Sequence, residues 1–177
     1  MSHNLTKLLS SGFMLLAACS GEGPTAVPVP SMQPGQSNGA VVTRPAGGRC
    51  TTEFDVDLTS KPGFMVLTNM TGECNLRHLG RVTMVITQEI NLTTFEATNH
   101  TTYIAANGDR IESDWVSVPT PPAAPPLIAF SGWETYSGGT GRFAGVSGQS
   151  FVIGTALLDF ASLTGTGQYT SEGSITF

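Results

Sequence analysis

Residues 138–149 read GGTGRFAGVSGQ, and glycines at that density suit two kinds of chemistry. One is a phosphate cradle. A dinucleotide fingerprint needs G-x-G-x-x-G between a strand and a helix, so that the phosphate sits on the helix N-terminus. Here Gly139, Gly141 and Gly145 are one residue too widely spaced, and the following QSFVIGTALLDF reads as strand. The stretch has no lysine for a P-loop, and Ser147 lacks the G-x-S-x-G spacing of a nucleophile elbow. The other possibility is a tight turn. The form G-T-G-polar-aromatic recurs at Gly165–Tyr169, and both copies are predicted to open a strand just after a turn in which glycine takes positive φ.

Elsewhere the reactive residue types are sparse. His78 stands in LRHLGR between Arg77 and Arg81, a grouping that could orient a carboxylate ligand with an arginine paired to it bidentately. It equally fits a histidine bonded to backbone at a strand start, with Arg81 paired to a neighbouring acid. His100, in TNHTT, reads as a loop or strand-edge residue. Glu53, Asp55 and Asp57 alternate with Phe54, Val56 and Leu58 and read as a solvated strand face. No metal site or cofactor motif emerges, since Cys50 and Cys74 lack CxxC spacing. As an even pair they point to a disulfide closing a loop of about 25 residues, a constraint of roughly 3 kcal/mol. Tyr103, Trp115 and Trp133, with Phe130, Phe143, Phe151 and Tyr169, could line a cavity or fill a core. The candidate ligand contacts are therefore His78, Arg81, Tyr103, Trp115 and Trp133.

The elements that must position them are strands. Thr, Val, Ile and Phe are abundant, and period-2 alternation recurs without a helical stripe. Strands are predicted within 51–58, 81–92, 101–118, 126–136, 149–160 and 167–177. Asn107-Gly108 splits the third of these into a hairpin. RVTMVITQEINL carries apolar residues on both faces early on and reads as buried on both. PTPPAAPPL (119–127) has five prolines in nine residues and is expected to be a loop, because proline cannot donate to an interior ladder. Seven or eight strands at hairpin spacing make an all-β antiparallel barrel or sandwich.

The N-terminus carries a separate message. MSHNLTK, a short apolar run and LAAC form a secretory signal, residues 1–18. LAAC closely resembles the lipobox of bacterial lipoproteins, which implies that Cys19 is acylated and anchors the chain to a membrane. Ser20 after it resembles the outer-membrane variant, so the expected place is the bacterial envelope. Residues 19–48, rich in Pro and Gly, read as a tether, leaving 49–177 as the folded domain. Once Lys7 leaves with the signal, seven basic residues face thirteen acidic ones, a formal charge of −6. That balance, with no basic stripe, excludes a nucleic-acid partner.

GGTGRFAGVSGQSFVIG, with HLGRVTM upstream and TGTGQYTSEGSITF at the end, resembles the bacterial allene oxide cyclase barrel-like proteins, kin of plant allene oxide cyclases and dirigent proteins. The resemblance implies an eight-stranded antiparallel, calycin-like β-barrel. Plant cyclases use a buried acid and a hydrophobic pocket, and no acid of this chain is matched to theirs. The plant proteins are trimers; the oligomeric state here stays open. The expectation is a lipid-anchored, non-enzymatic barrel that binds a small hydrophobic ligand or an envelope partner. The alternatives are an isomerase or cyclase acting on a lipid-derived substrate, or a purely structural surface lipoprotein.

Overall fold

The computed structural model describes residues 41–124 and 126–177. Eight strands run in chain order: β1 Thr43–Asp57, β2 Phe64–Leu76, β3 Gly80–Asn91, β4 Ala97–Ala105, β5 Arg110–Ala124, β6 Leu127–Gly139, β7 Ser147–Asp159 and β8 Thr164–Thr176. Each pairs antiparallel with the next, and β8 returns to β1, closing an up-and-down barrel with no unpaired edge along its body. The domain held by these ladders is an all-β, eight-stranded antiparallel barrel.

Alternation decides what lies inside. Cys50, Thr52, Phe54 and Val56 of β1 point inward, as do Val82, Met84 and Ile86 of β3 and Ile111, Ser113, Trp115 and Ser117 of β5. Threonines and charged residues take the intervening outward positions, as one sheet closed on itself requires. β3 is not buried on both faces as its sequence suggested, because no second layer covers it and Val85 stays half exposed.

Four segments depart from their sequence readings. First, β1 begins at Thr43, six residues before the expected domain boundary at 49: Thr43–Gly48 pair with Ser171–Thr176 of β8, so the end of the supposed tether is barrel wall. Second, β2 is a strand that periodicity hid. A bulge between Leu67 and Met70, with Asn69 at φ 51°, switches the inward parity from Met65 and Leu67 to Met70 and Cys74. Third, the proline segment is strand through Ala124, where Pro119 pairs with Phe130 and Thr120 with Ala129. β4 reaches only as far as Ser117, so from Val118 onward β5 has a partner on one side alone, and an edge tolerates proline. Fourth, the first G-T-G copy does not open a strand. It forms a 3-10 turn, Gly141–Phe143, between β6 and β7, with Gly141 and Gly145 at positive φ; the second copy lies within β8.

The two ends of the barrel differ. One, called the mouth here, is bounded by the loops after β1, β3 and β7 and by the β5–β6 hairpin. The other, the base, carries the β2–β3, β4–β5 and β6–β7 connections. Toward the base the interior is packed solid with Met84, Ile111, Val152 and Ile175 and closed by Phe143, stacked 6.1 Å from Phe177. The expected disulfide is present, Cys50–Cys74 with S–S 1.97 Å, joining directly opposed residues of β1 and β2 inside this packing.

Candidate functional site

Above the packed half the interior is hollow. A cavity of about 240 Å³ opens toward the mouth, and its walls are almost wholly apolar: Phe54, Met65, Met70, Ile90, Ile128 and Phe130. Small residues on β7 and β8 make the room. Ala156 and Gly167 both line it, and at Gly165 a Cβ would lie only 2.4 Å from the Phe54 ring. Glycine there lets that ring approach the β8 backbone closely. Leu58, Leu92, Phe95 and Phe160, all exposed, rim the opening.

Trp115 and Tyr169 form the inner end. Their rings are 5.7 Å apart, and Trp115 also meets Phe130 at 6.1 Å. The Trp115 Nε1–H donates to Thr101 Oγ1 at 3.1 Å, so the indole is satisfied and presents only its apolar surface. Tyr169 is different. Its hydroxyl donates to the Met84 thioether at 3.2 Å, a weak acceptor that a ligand oxygen could replace.

Behind this floor sits a buried polar cluster built around Glu134. The residue is 1% exposed. Its Oε1 accepts from Tyr103 Oη at 2.7 Å and from Ser113 Oγ at 2.7 Å, while its Oε2 has no partner. Tyr103 Oη lies 3.4 Å from Tyr169 Oη, which links the carboxyl to the cavity floor. Tyr136 Oη and Ser150 Oγ share a bond of 2.8 Å beside it. Burial pushes the Glu134 carboxyl above its usual range, against the opposing pull of its hydrogen bonds. Burial is the first cause that keeps the Tyr103 and Tyr169 hydroxyls neutral, and Glu134 adds to it when it is ionised. In its protonated form, which burial favours, the carboxyl would be a hydrogen-bond donor behind the cavity floor.

The structure brings together only part of the set expected from sequence. Tyr103 and Trp115 are interior, at the polar cluster and the cavity floor. Trp133 is not: neighbouring residues of a strand point to opposite faces, so burying Glu134 puts Trp133 outside, 58% exposed and 5.1 Å from Phe151. His78 and Arg81 are far from the cavity as well. His78 sits in the base turn at φ 64°, and Arg81 is an outer-wall residue paired with Glu73 at 2.6 Å. His100 is in β4 on the outer wall, against Asp114 at 2.8 Å. Cys19 lies outside the described residues. Sequence reasoning missed Glu134, although it shares inward parity with Ile128, Phe130 and Tyr136 in LIAFSGWETY. Among the described residues no group of three His, Cys, Asp or Glu side chains is placed to hold a metal ion.

No protein-family model matches the chain, and no curated protein matches it. Among solved structures it is similar to the pterocarpan synthase dirigent protein GePTS1, with a TM-score of 0.37 and 12% sequence identity, over 75% of this chain and 85% of that one.

Proposed function

We propose that this protein is a lipid-anchored envelope barrel that takes up one small, mostly apolar molecule through its mouth. The observation that carries the binding reading is the hollow upper interior, apolar-walled and about 240 Å³, in a barrel whose lower half is filled by buried side chains. Ligand pockets usually start at roughly 300 Å³, so the ligand is compact, and its single polar group addresses Tyr169. The anchoring reading is supported by the LAAC sequence ending at Cys19.

Native mass spectrometry of the protein after incubation with a bacterial lipid extract tests the binding. A reproducible adduct is expected. Ala156→Phe, which puts a ring into the cavity and leaves the lower core untouched, is expected to abolish it with the fold intact by circular dichroism. A bare mass on every attempt, or an adduct that survives in Ala156→Phe, overturns the reading.

A second reading is favoured by one observation. Glu134, buried, raised in pKa and with one unengaged oxygen, is what an isomerase or cyclase needs to protonate a substrate that reaches the floor. It is distinguished from pure binding by whether the adduct recovered has the mass and structure of the molecule supplied.

A further inference from the structure

All six arginines of the described chain lie in the half of the barrel away from the mouth. Arg44 and Arg49 are on the opening half of β1, and Arg77 is in the β2–β3 turn. Arg81 and Arg110 start β3 and β5, and Arg142 is in the 3-10 turn. All six are exposed. The mouth half sets Glu53, Asp55, Asp57, Glu89, Glu96 and Asp159 against a single base, Lys61, which is itself paired to Glu89, whereas the base half sets its six arginines against Glu73, Asp109, Glu112, Asp114 and Glu172. Only two arginines have a carboxylate within 4.0 Å among the described residues: Arg81 with Glu73, and Arg142 with Asp109 at 3.8 Å. Arg44, Arg49, Arg77 and Arg110 have none. A net-acidic chain that gathers its arginines at one end has a charge polarity that solubility alone does not require.

The base also has a concavity. About 330 Å³ is lined by Arg44, His78 and Arg142 over a floor of Val42, Leu79, Phe143 and Phe177. The Arg142 guanidinium stacks 4.6 Å over the Phe143 ring, and His78 holds a left-handed backbone that glycine adopts more easily. Two cations and an imidazole above an apolar floor suit a headgroup with a negative charge and a greasy attachment.

We propose that this end docks on an anionic lipid bilayer, with one phosphate-bearing headgroup seated between Arg44, His78 and Arg142. Charge complementarity is the first argument. The second is where the remaining chain departs: Thr43, the first barrel residue, is at the base, so the 23 residues between it and Cys19 leave from the same face. Fully extended they span roughly 80 Å, far more than contact needs, so the tether permits docking and the arginines determine its orientation. The mouth then faces away from the bilayer. None of this depends on the cavity being occupied.

The test uses the chain with Cys19→Ser, so that no acyl group contributes. The predicted signal, residues 1–18, is removed as in the mature chain, and residues 19–177 are sedimented with vesicles of phosphatidylcholine alone or mixed with phosphatidylglycerol. Binding to the mixed vesicles only is expected, weakening at high salt as the charges are screened. Arg44→Gln with Arg142→Gln is expected to lower the partition coefficient roughly 25-fold, at about fivefold per lost charge. His78→Gly, easier for the turn backbone, lowers binding without lowering Tm. Equal binding to both vesicles, insensitive to salt, overturns the proposal and points instead to the apolar rim of the mouth. Binding to neither overturns it outright. Thermal stabilisation by inorganic phosphate without vesicle binding makes the concavity a free-anion site and likewise overturns bilayer docking. The cavity adduct is expected to survive the arginine substitutions, so the two readings fail separately.

Discussion

Replacing Cys50 and Cys74 together by alanine is expected to lower Tm by roughly 10–15 °C. The bond closes a loop of sequence separation 24, for which the loop-entropy relation gives about 3.5 kcal/mol. At this domain size each kcal/mol moves Tm by a few degrees. The effect acts largely through the unfolded chain, because β1 and β2 are already held together in the folded barrel by their own ladder, register Cys50↔Cys74 included. That origin has a signature. The unfolded state of the double variant is less constrained and exposes more surface, so the urea m-value rises as the midpoint falls. A folded-state cause would lower the midpoint at constant m. Neither cysteine lines the cavity, so the adduct seen by native mass spectrometry persists in the double variant at temperatures where it is folded. A Tm within a few degrees of the parent shows that β1–β2 pairing is retained in the unfolded ensemble and that the staple is redundant.

How much of this could be read from the sequence depends on parity. β1 alternates without interruption, Asn107-Gly108 marks its hairpin, and two cysteines without CxxC spacing leave a disulfide as the natural pairing; each of these rests on a local rule. β2 was hidden by a single bulge at Asn69 that inverts the alternation midway. The proline segment misled because whether a strand needs its N–H groups depends on how far its neighbour extends, and β4 stops at Ser117. The site failed for a related reason. In LIAFSGWETY both faces mix apolar and polar residues, and the large Trp133 favours turning that face inward. The barrel turns the other, placing Glu134 inside, because only an interior set by all eight strands supplies Tyr103 and Ser113 as donors 31 and 21 residues away. His78 and Arg81 drew attention through chemistry that is real but lies at the base, where the arginines collect.

Glu134→Gln is expected to remove a pH dependence of stability that the parent carries above the ordinary carboxylate range. The sign follows from the raised pKa. Where both states are protonated, at low pH, the buried acid costs nothing. As pH rises past the ordinary carboxylate range the unfolded chain ionises while the native carboxyl keeps its proton. The unfolded state then binds fewer protons, and stability falls by up to about 1.4 kcal/mol per pH unit. The loss levels off above the native pKa. Glutamine keeps an oxygen to accept from Tyr103 and Ser113, supplies N–H donors where Oε2 has no partner, and cannot ionise. Urea midpoints are therefore expected to fall in the parent as pH rises above the ordinary carboxylate range and to stay level in the variant, which is the more stable protein once that loss is complete. The acid limb behaves oppositely. The Thr59 N–H, first among several donors, lowers Asp57 to about 2, and Ser162 with the Ala161 N–H lowers Asp159. These groups give stability that is present at neutral pH and lost as pH drops through their native pKa values, and they do so equally in both proteins. An unchanged slope in Glu134→Gln would show that the carboxyl reaches water. With the slope removed, the same variant separates the two functional readings. It retains a bound ligand if the barrel only binds, and it leaves a supplied substrate chemically unaltered if Glu134 is the proton source.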